Sequence, residues 1–142
     1  MPERTASAVW KGPVPEGQGT VSVESGLLHA QYSFGSRFES GAGTNPEELL
    51  GAAHAGCFTM ALALGLTEGG HPPTRVSTTA RVAITKTSEG FRIPHIALST
   101  EAEVPGLDQQ AFEREAEKAK TGCPVSLALA GTDITLEAKL LG

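Results

Sequence analysis

Asn45-Pro-Glu-Glu-Leu-Leu-Gly-Ala-Ala-His-Ala-Gly-Cys-Phe58 is the stretch on which the architecture turns. Asn45 is a helix cap, Pro46 suits a first helical position, and Glu48 stands where a capping box wants a carboxylate. At ~100° per residue, Leu50, Ala53, His54, Cys57, Ala61 and Leu64 fall on one face, and Leu49, Gly56 and Met60 on a second. A helix apolar nearly all round belongs at the centre of a fold. Its small residues, Gly51, Ala52, Ala53, Ala55 and Gly56, permit close approach by a neighbour, and Gly69-Gly70-His71-Pro72-Pro73 ends it. The apolar run Leu49 to Leu66 is interrupted by Gly51, His54, Gly56 and Thr59, so it reads as a buried helix rather than a membrane span.

Strand patterns lie on either side. Upstream, Ala6 to Trp10, Thr20 to Glu24 and Leu27 to Ser33 are β-compatible, with Ser25-Gly26 as a hairpin turn. A glycine-rich loop, Ser40 to Thr44, leads into the helix. Downstream, Val76 to Thr87 alternates, Ser88-Glu89-Gly90 turns, and Phe91 to Glu103 forms a second long strand with Ile96, Leu98, Thr100 and Ala102 on one side. Pro94 marks an edge or a bulge near its start. Asp108 caps a helix to about Lys120 with Phe112, Ala116 and Ala119 inward, and Gly122 stops it. Pro124 to Ala130 holds one or two more turns, and Asp133 to Leu141 closes the chain as a strand. The sum is α+β, with strands segregated from helices rather than βαβ repeats, in a single domain over residues 1–142.

The net charge of −5 argues against nucleic acid or an anionic membrane as a partner. The N-terminal residues show no export signal, so a cytoplasmic, reducing compartment is expected, where two cysteines do not read as a structural staple. Aromatic content of 5% with 17 Gly and 9 Pro leaves a core of Val, Ile, Leu and Ala and gives weak support for a partner subunit.

Cys57 lies inside the apolar helix, where burial raises a thiol's pKa, so reactivity there needs a nearby cation. His54 is one turn earlier. Arg37, flanked by Ser36 and Phe38, is the other candidate and itself wants a carboxylate from Glu39, Glu47 or Glu48. Cys123 precedes Pro124 at a helix start, where backbone N–H groups favour a thiolate. The two cysteines are so far apart in sequence that only the fold can bring them together. A lone H-x-x-C is not a zinc site, and no nucleotide fingerprint or G-x-S-x-G elbow is present. The plainer readings are two inert buried thiols, a structural ion pair for Arg37, and a packed, hydrogen-bonded helix residue for His54. His29, His71 and His95 read as surface or structural residues.

The chain resembles the osmotically inducible protein C and organic hydroperoxide resistance family. The likeness runs nearly end to end. It is densest in Gly19-Thr-Val-Ser-Val-Glu-Ser-Gly26, Ser36-Arg-Phe-Glu39, Gly43-Thr-Asn-Pro-Glu-Glu-Leu-Leu-Gly-Ala-Ala-His-Ala-Gly-Cys-Phe58 and Lys118-Ala-Lys-Thr-Gly-Cys-Pro-Val-Ser126. His54 resembles the osmotically inducible branch, Tyr being usual in the other. The resemblance implies an OsmC-like fold of antiparallel sheets with a central buried helix, in an intertwined homodimer with active sites at the subunit interface. It implies a thiol peroxidase with Cys57 as peroxidatic and Cys123 as resolving cysteine, Arg37 activating the thiolate and orienting the peroxide, and Glu47 pairing with Arg37. No bound cofactor is implied; an external dithiol, a lipoylated protein, recycles the disulfide. Glu47 and Cys57 are ten residues apart on one helix, ~15 Å along its axis, so Arg37 and Glu47 of one subunit are expected to complete the site around Cys57 of the other. Leu50, Phe38, Met60 and Phe58 are expected to favour organic hydroperoxides over hydrogen peroxide. Two other classes remain: a general dithiol oxidoreductase, which needs no Arg37, and a non-catalytic stress binding protein, which needs no Cys57.

Overall fold

A computed structural model describes every residue from Met1 to Gly142. The chain forms two units, Met1–Leu49 and Leu50–Gly142.

In the first unit, β1 (Ala6–Lys11), β2 (Gln18–Val23) and β3 (His29–Tyr32) form an antiparallel meander in that order. The register pairs Ala8 with Val21 and Val21 with Ala30. Trp10 and Tyr32 rings stand 5.5 Å apart across β2. Gly19 lies between them, and a Cβ there would come within 2.5 Å of the Tyr32 ring, so only glycine fits. Just before the glycine-rich loop the chain forms a short helix, α1 (Phe34–Phe38). Its signal is a reciprocal cap: Ser33 Oγ accepts from the Ser36 amide at 3.1 Å, and Ser36 Oγ accepts from the Ser33 amide at 2.8 Å. Gly43 adopts φ 113° where a Cβ would press on the Gln31 carbonyl, which fixes glycine at the entry to the next helix.

That helix, α2 (Pro46–Glu68), bridges the numbering of the two units. Asn45 Oδ1 accepts from the Glu48 amide at 2.7 Å, so Asn45 is the cap. Glu48 does not complete the expected capping box; its carboxylate accepts from the Thr44 hydroxyl at 2.7 Å instead.

In the second unit, β4 (Arg75–Val82) pairs antiparallel with β7 (His95–Glu103), and β7 pairs parallel with β8 (Asp133–Leu140). The two long strands expected from sequence are each broken. Val76–Thr87 divides into β4 and β5 (Thr85–Thr87), and Phe91–Glu103 divides at Pro94 into β6 (Gly90–Arg92) and β7. Proline has no N–H to give a ladder, so the strand restarts after it. The β5–β6 hairpin is a separate two-stranded sheet. Between β7 and β8 run α3 (Gln109–Gly122) and α4 (Pro124–Ala128), making one strand–helix–strand crossover. The expectation of purely antiparallel sheets with no such unit is therefore corrected. The alternating pattern of β8 reads the same for either direction of pairing.

Ile96, Leu98 and Ala102 from the central strand, Val104 just after it, Phe112, Ala116 and Ala119 from α3, and Phe58, Leu62 and Leu66 from α2 build the core of this unit. The buried stripe of α2 is Gly51, His54, Phe58, Leu62 and Leu66, at helical spacing. Ala53 and Leu64, grouped from sequence on the face of His54 and Cys57, are exposed, as is Met60 of the second apolar face. In the single chain, α2 is thus buried on one face rather than all round, and its length and composition alone would suit a membrane span. Its small residues serve as expected at Gly51, where a Cβ would touch Val82 and Ala80.

Candidate active site

Two pairs of the side chains named from sequence are in contact, one pair in each unit. In the second unit, Cys57 projects from the middle of α2, and Cys123 is at once the C-cap of α3 and the N-cap of α4. Both are free thiols, and their sulfurs are 2.7 Å apart. The fold thus closes a separation of 66 residues. Cys123 is fully buried, whereas Cys57 is partly exposed, so an incoming reagent meets Cys57 first.

The environments of the two sulfurs differ in sign. Burial, followed by the hydrogen bond with Cys123, pushes the Cys57 thiol up. Burial works the same way on Cys123, but the bond to Cys57 and the Ser126 and Val125 groups at the start of α4 outweigh it and bring that thiol down. The helix-start device read at Cys123 is present. The cation that Cys57 needs is not supplied by its own unit. His54, the nearest candidate, turns its Nε2 to the Ser126 hydroxyl at 2.7 Å, and burial lowers its pKa, keeping the ring neutral.

In the first unit, Arg37 sits in the last turn of α1 and Glu47 in the first turn of α2. Of the three carboxylates weighed for Arg37, Glu47 is the one met. Arg37 Nε donates to Glu47 Oε1 at 3.1 Å and Nη2 to Oε2 at 3.0 Å, a bidentate fork. The Glu47 side chain is 8% exposed and that of Arg37 36%, so the carboxylate is anchored while the guanidinium keeps an open side. The Phe38 ring lies 5.3 Å from the guanidinium carbon. Ser36 holds this corner together: its hydroxyl donates to the Thr44 carbonyl at 2.7 Å, and its own carbonyl accepts from Asn45 Nδ2 at 3.0 Å.

The description of the OsmC-like protein family matches residues 39–138. The chain belongs to that family. It is 51% identical over 138 residues, 96% of either chain, to the peroxiredoxin OsmC of Escherichia coli (strain K12). To the organic hydroperoxide resistance protein of Xanthomonas axonopodis pv. citri it is 36% identical over 98 residues, 68% of this chain and 67% of that one. The osmotically inducible branch, read from His54, is therefore the right one. The likeness over nearly the whole chain makes it a peroxidase-type redox enzyme. Among solved structures, OhrB of Bacillus subtilis superposes with a TM-score of 0.72 at 26% identity, covering 95% of this chain and 98% of that one. An OsmC protein of Legionella pneumophila gives 0.71 at 28%, covering 96% of each.

Of the groups named from sequence, Phe58 does not belong beside a substrate: it is fully buried in the core. No cluster of metal-ligating side chains occurs. The residue that sequence reading overlooked is Ser126. Its signal was its place three positions after Cys123, where a side chain at a helix start turns back toward the cap.

Proposed function

We propose that the protein reduces organic hydroperoxides through a Cys57 sulfenic acid and a Cys57–Cys123 disulfide. The observation that carries this is the 2.7 Å approach of two free thiols, the outer one accessible and the inner one anion-stabilised. The Cys57 thiolate attacks one peroxide oxygen in line with the O–O bond. The alkoxide leaves and takes a proton, giving an alcohol and Cys57–SOH. Cys123 condenses with that sulfenic acid, expelling water, and an external dithiol, a lipoylated protein or another, restores both thiols.

A thiol pushed up by burial needs a cation to become a nucleophile at neutral pH. Arg37, oriented by Glu47 and open on one side, has the fork geometry for a thiolate and a peroxide oxygen. Helix geometry separates Glu47 from Cys57 by ~15 Å, so we assign Arg37 and Glu47 of one subunit to the Cys57 of another, in an intertwined homodimer. Two uncovered apolar surfaces support that assembly. Met60 and Leu64 on α2 are 77% and 60% exposed, and the sheet of the first unit opens an apolar groove lined by Ala6, Ala8, Val21, Val23, Leu28 and Leu49. The two units would then be parts of a single OsmC-like domain, completed by exchange between protomers. The same assembly covers the apolar side of α2 in a cytoplasmic protein.

Leu50, Met60 and Phe38 remain as apolar neighbours for the substrate's organic part. The preference is tested by comparing kcat/KM for cumene hydroperoxide and for hydrogen peroxide. A ratio above about tenfold in favour of the organic substrate is expected, the scale of a few buried methylenes. A ratio near one would refute the substrate assignment.

A further inference from the structure

Behind the thiol pair stands a buried polar file that the peroxide step does not use. Cys123 caps α4, and Ser126 is the third helical residue. Ser126 is 6% exposed and His54 fully buried, and Ser126 Oγ lies 2.7 Å from His54 Nε2. The other imidazole nitrogen, Nδ1, is buried without a partner. The Cys123 sulfur accepts no capping hydrogen bond, and Ser126 stands one helical turn on from it; the Ser126 hydroxyl and amide and the Val125 amide act to lower the Cys123 pKa.

One hydrogen decides how the file works. Ser126 has a single hydroxyl proton. Donated to His54 Nε2, it forces the imidazole proton onto Nδ1, leaving a buried N–H with nothing to receive it. Donated to the Cys123 sulfur, it leaves Oγ to accept from Nε2–H, and Nδ1 is then a bare lone pair. Orphaned buried N–H groups are the rarer and costlier of the two. The second arrangement is the better satisfied.

We propose that Ser126, aimed by the Nε2–H of His54, donates its hydroxyl hydrogen to Cys123 Sγ and positions that sulfur for attack on the Cys57 sulfenic acid. Both are positioning residues, and their role rests on the disulfide couple proposed above. In the step they serve, the Cys123 thiolate supplies an electron pair to the Cys57 sulfur. The S–S bond forms as the Cys57 S–O bond breaks. The expelled hydroxide takes up the proton that Cys123 gave up, leaving as water. The titratable groups facing Cys123 are Cys57 and, through Ser126, His54, both from α2. On α3, which ends at Cys123, Lys120 is engaged by Glu117 at 2.9 Å, and α4 contributes Ser126 and Val125 without a charge.

The test follows one turnover. Wild type, Ser126→Ala, Ser126→Thr and His54→Gln are mixed with one equivalent of cumene hydroperoxide over a range of pH and quenched with an alkylating agent. Mass spectrometry then counts Cys57 sulfenic acid and Cys57–Cys123 disulfide against time. In Ser126→Ala, the ratio of condensation rate to sulfenic-acid formation rate should fall about ten- to a hundredfold, the worth of a hydrogen bond to a charged group. The pH midpoint of condensation should rise, because the lost donor favoured the thiolate. Ser126→Thr restores the hydroxyl and His54→Gln keeps an N–H at the Nε2 position, so both should recover the ratio and the midpoint. An unchanged ratio and midpoint in Ser126→Ala, with wild type forming the disulfide, would overturn the relay alone. A wild type that forms sulfenic acid but no disulfide would overturn the couple itself and the relay with it.

Discussion

Cys57→Ser is expected to bring peroxide consumption down to the uncatalysed background while the protein stays folded. Serine differs from cysteine by one atom, and Cys57 is only partly buried, so little packing is lost. Its hydroxyl, however, does not ionise near neutral pH and is a poor nucleophile toward an O–O bond. Cys123 does not rescue the reaction: it is the better-stabilised anion but is fully buried. Cys123→Ser should behave differently. It should consume one equivalent of peroxide per chain and stop at the Cys57 sulfenic acid, or, under excess peroxide, take up a second equivalent as that acid passes to sulfinic acid. Steady-state peroxide assays with intact-mass measurement separate the two variants. A Cys57→Ser protein retaining wild-type turnover would remove the nucleophile from the account and favour the non-catalytic reading.

Arg37→Ala should lower kcat/KM for peroxide about 100- to 1000-fold, the scale of losing one preorganised electrostatic donor. It should also cost about 1–3 kcal/mol of stability, because Glu47 is left buried without its partner. The figure is below that of a fully buried pair because the guanidinium is 36% exposed. Arg37→Lys keeps the charge but loses the fork and should recover only part of the rate. A general dithiol oxidoreductase would tolerate Arg37→Ala in exchange with disulfide substrates, so retained peroxide activity in this variant would favour that class. Mixing denatured Arg37→Ala and Cys57→Ser chains and refolding them tests the shared site. If Arg37 acts across subunits, each mixed dimer holds one intact site, and about a quarter of wild-type activity returns from two inactive parents. No recovery from a refolded mixture would refute the cross-subunit assignment.

Local rules carried much of the structure. Asn45 as a cap, Asp108 as a cap with its carboxylate on the Ala111 amide, and the inward row Ile96, Leu98, Thr100 and Ala102 follow from chemistry within a few residues. The failures share a cause: they depend on what an element meets in space. The parallel pairing of β7 and β8 is invisible in an alternating pattern. The stripe of α2 was misjudged because a helix apolar all round has no face to choose. Residue chemistry alone narrowed the carboxylate for Arg37 to Glu39, Glu47 and Glu48, and only the family resemblance singled out Glu47, because the pairing depends on how α1 meets the start of α2. The place of Ser126 three positions after Cys123 was legible, but its contact with His54, 72 residues away, was not.

The most direct test of the account is a count of thiols. The reduced protein has two free cysteines per chain. After one equivalent of an organic hydroperoxide under denaturing quench, the account predicts that both are lost and that peptide mapping finds Cys57 joined to Cys123 within one chain. Two thiols still titrating, or a link between cysteines of different chains in place of that one, would contradict it.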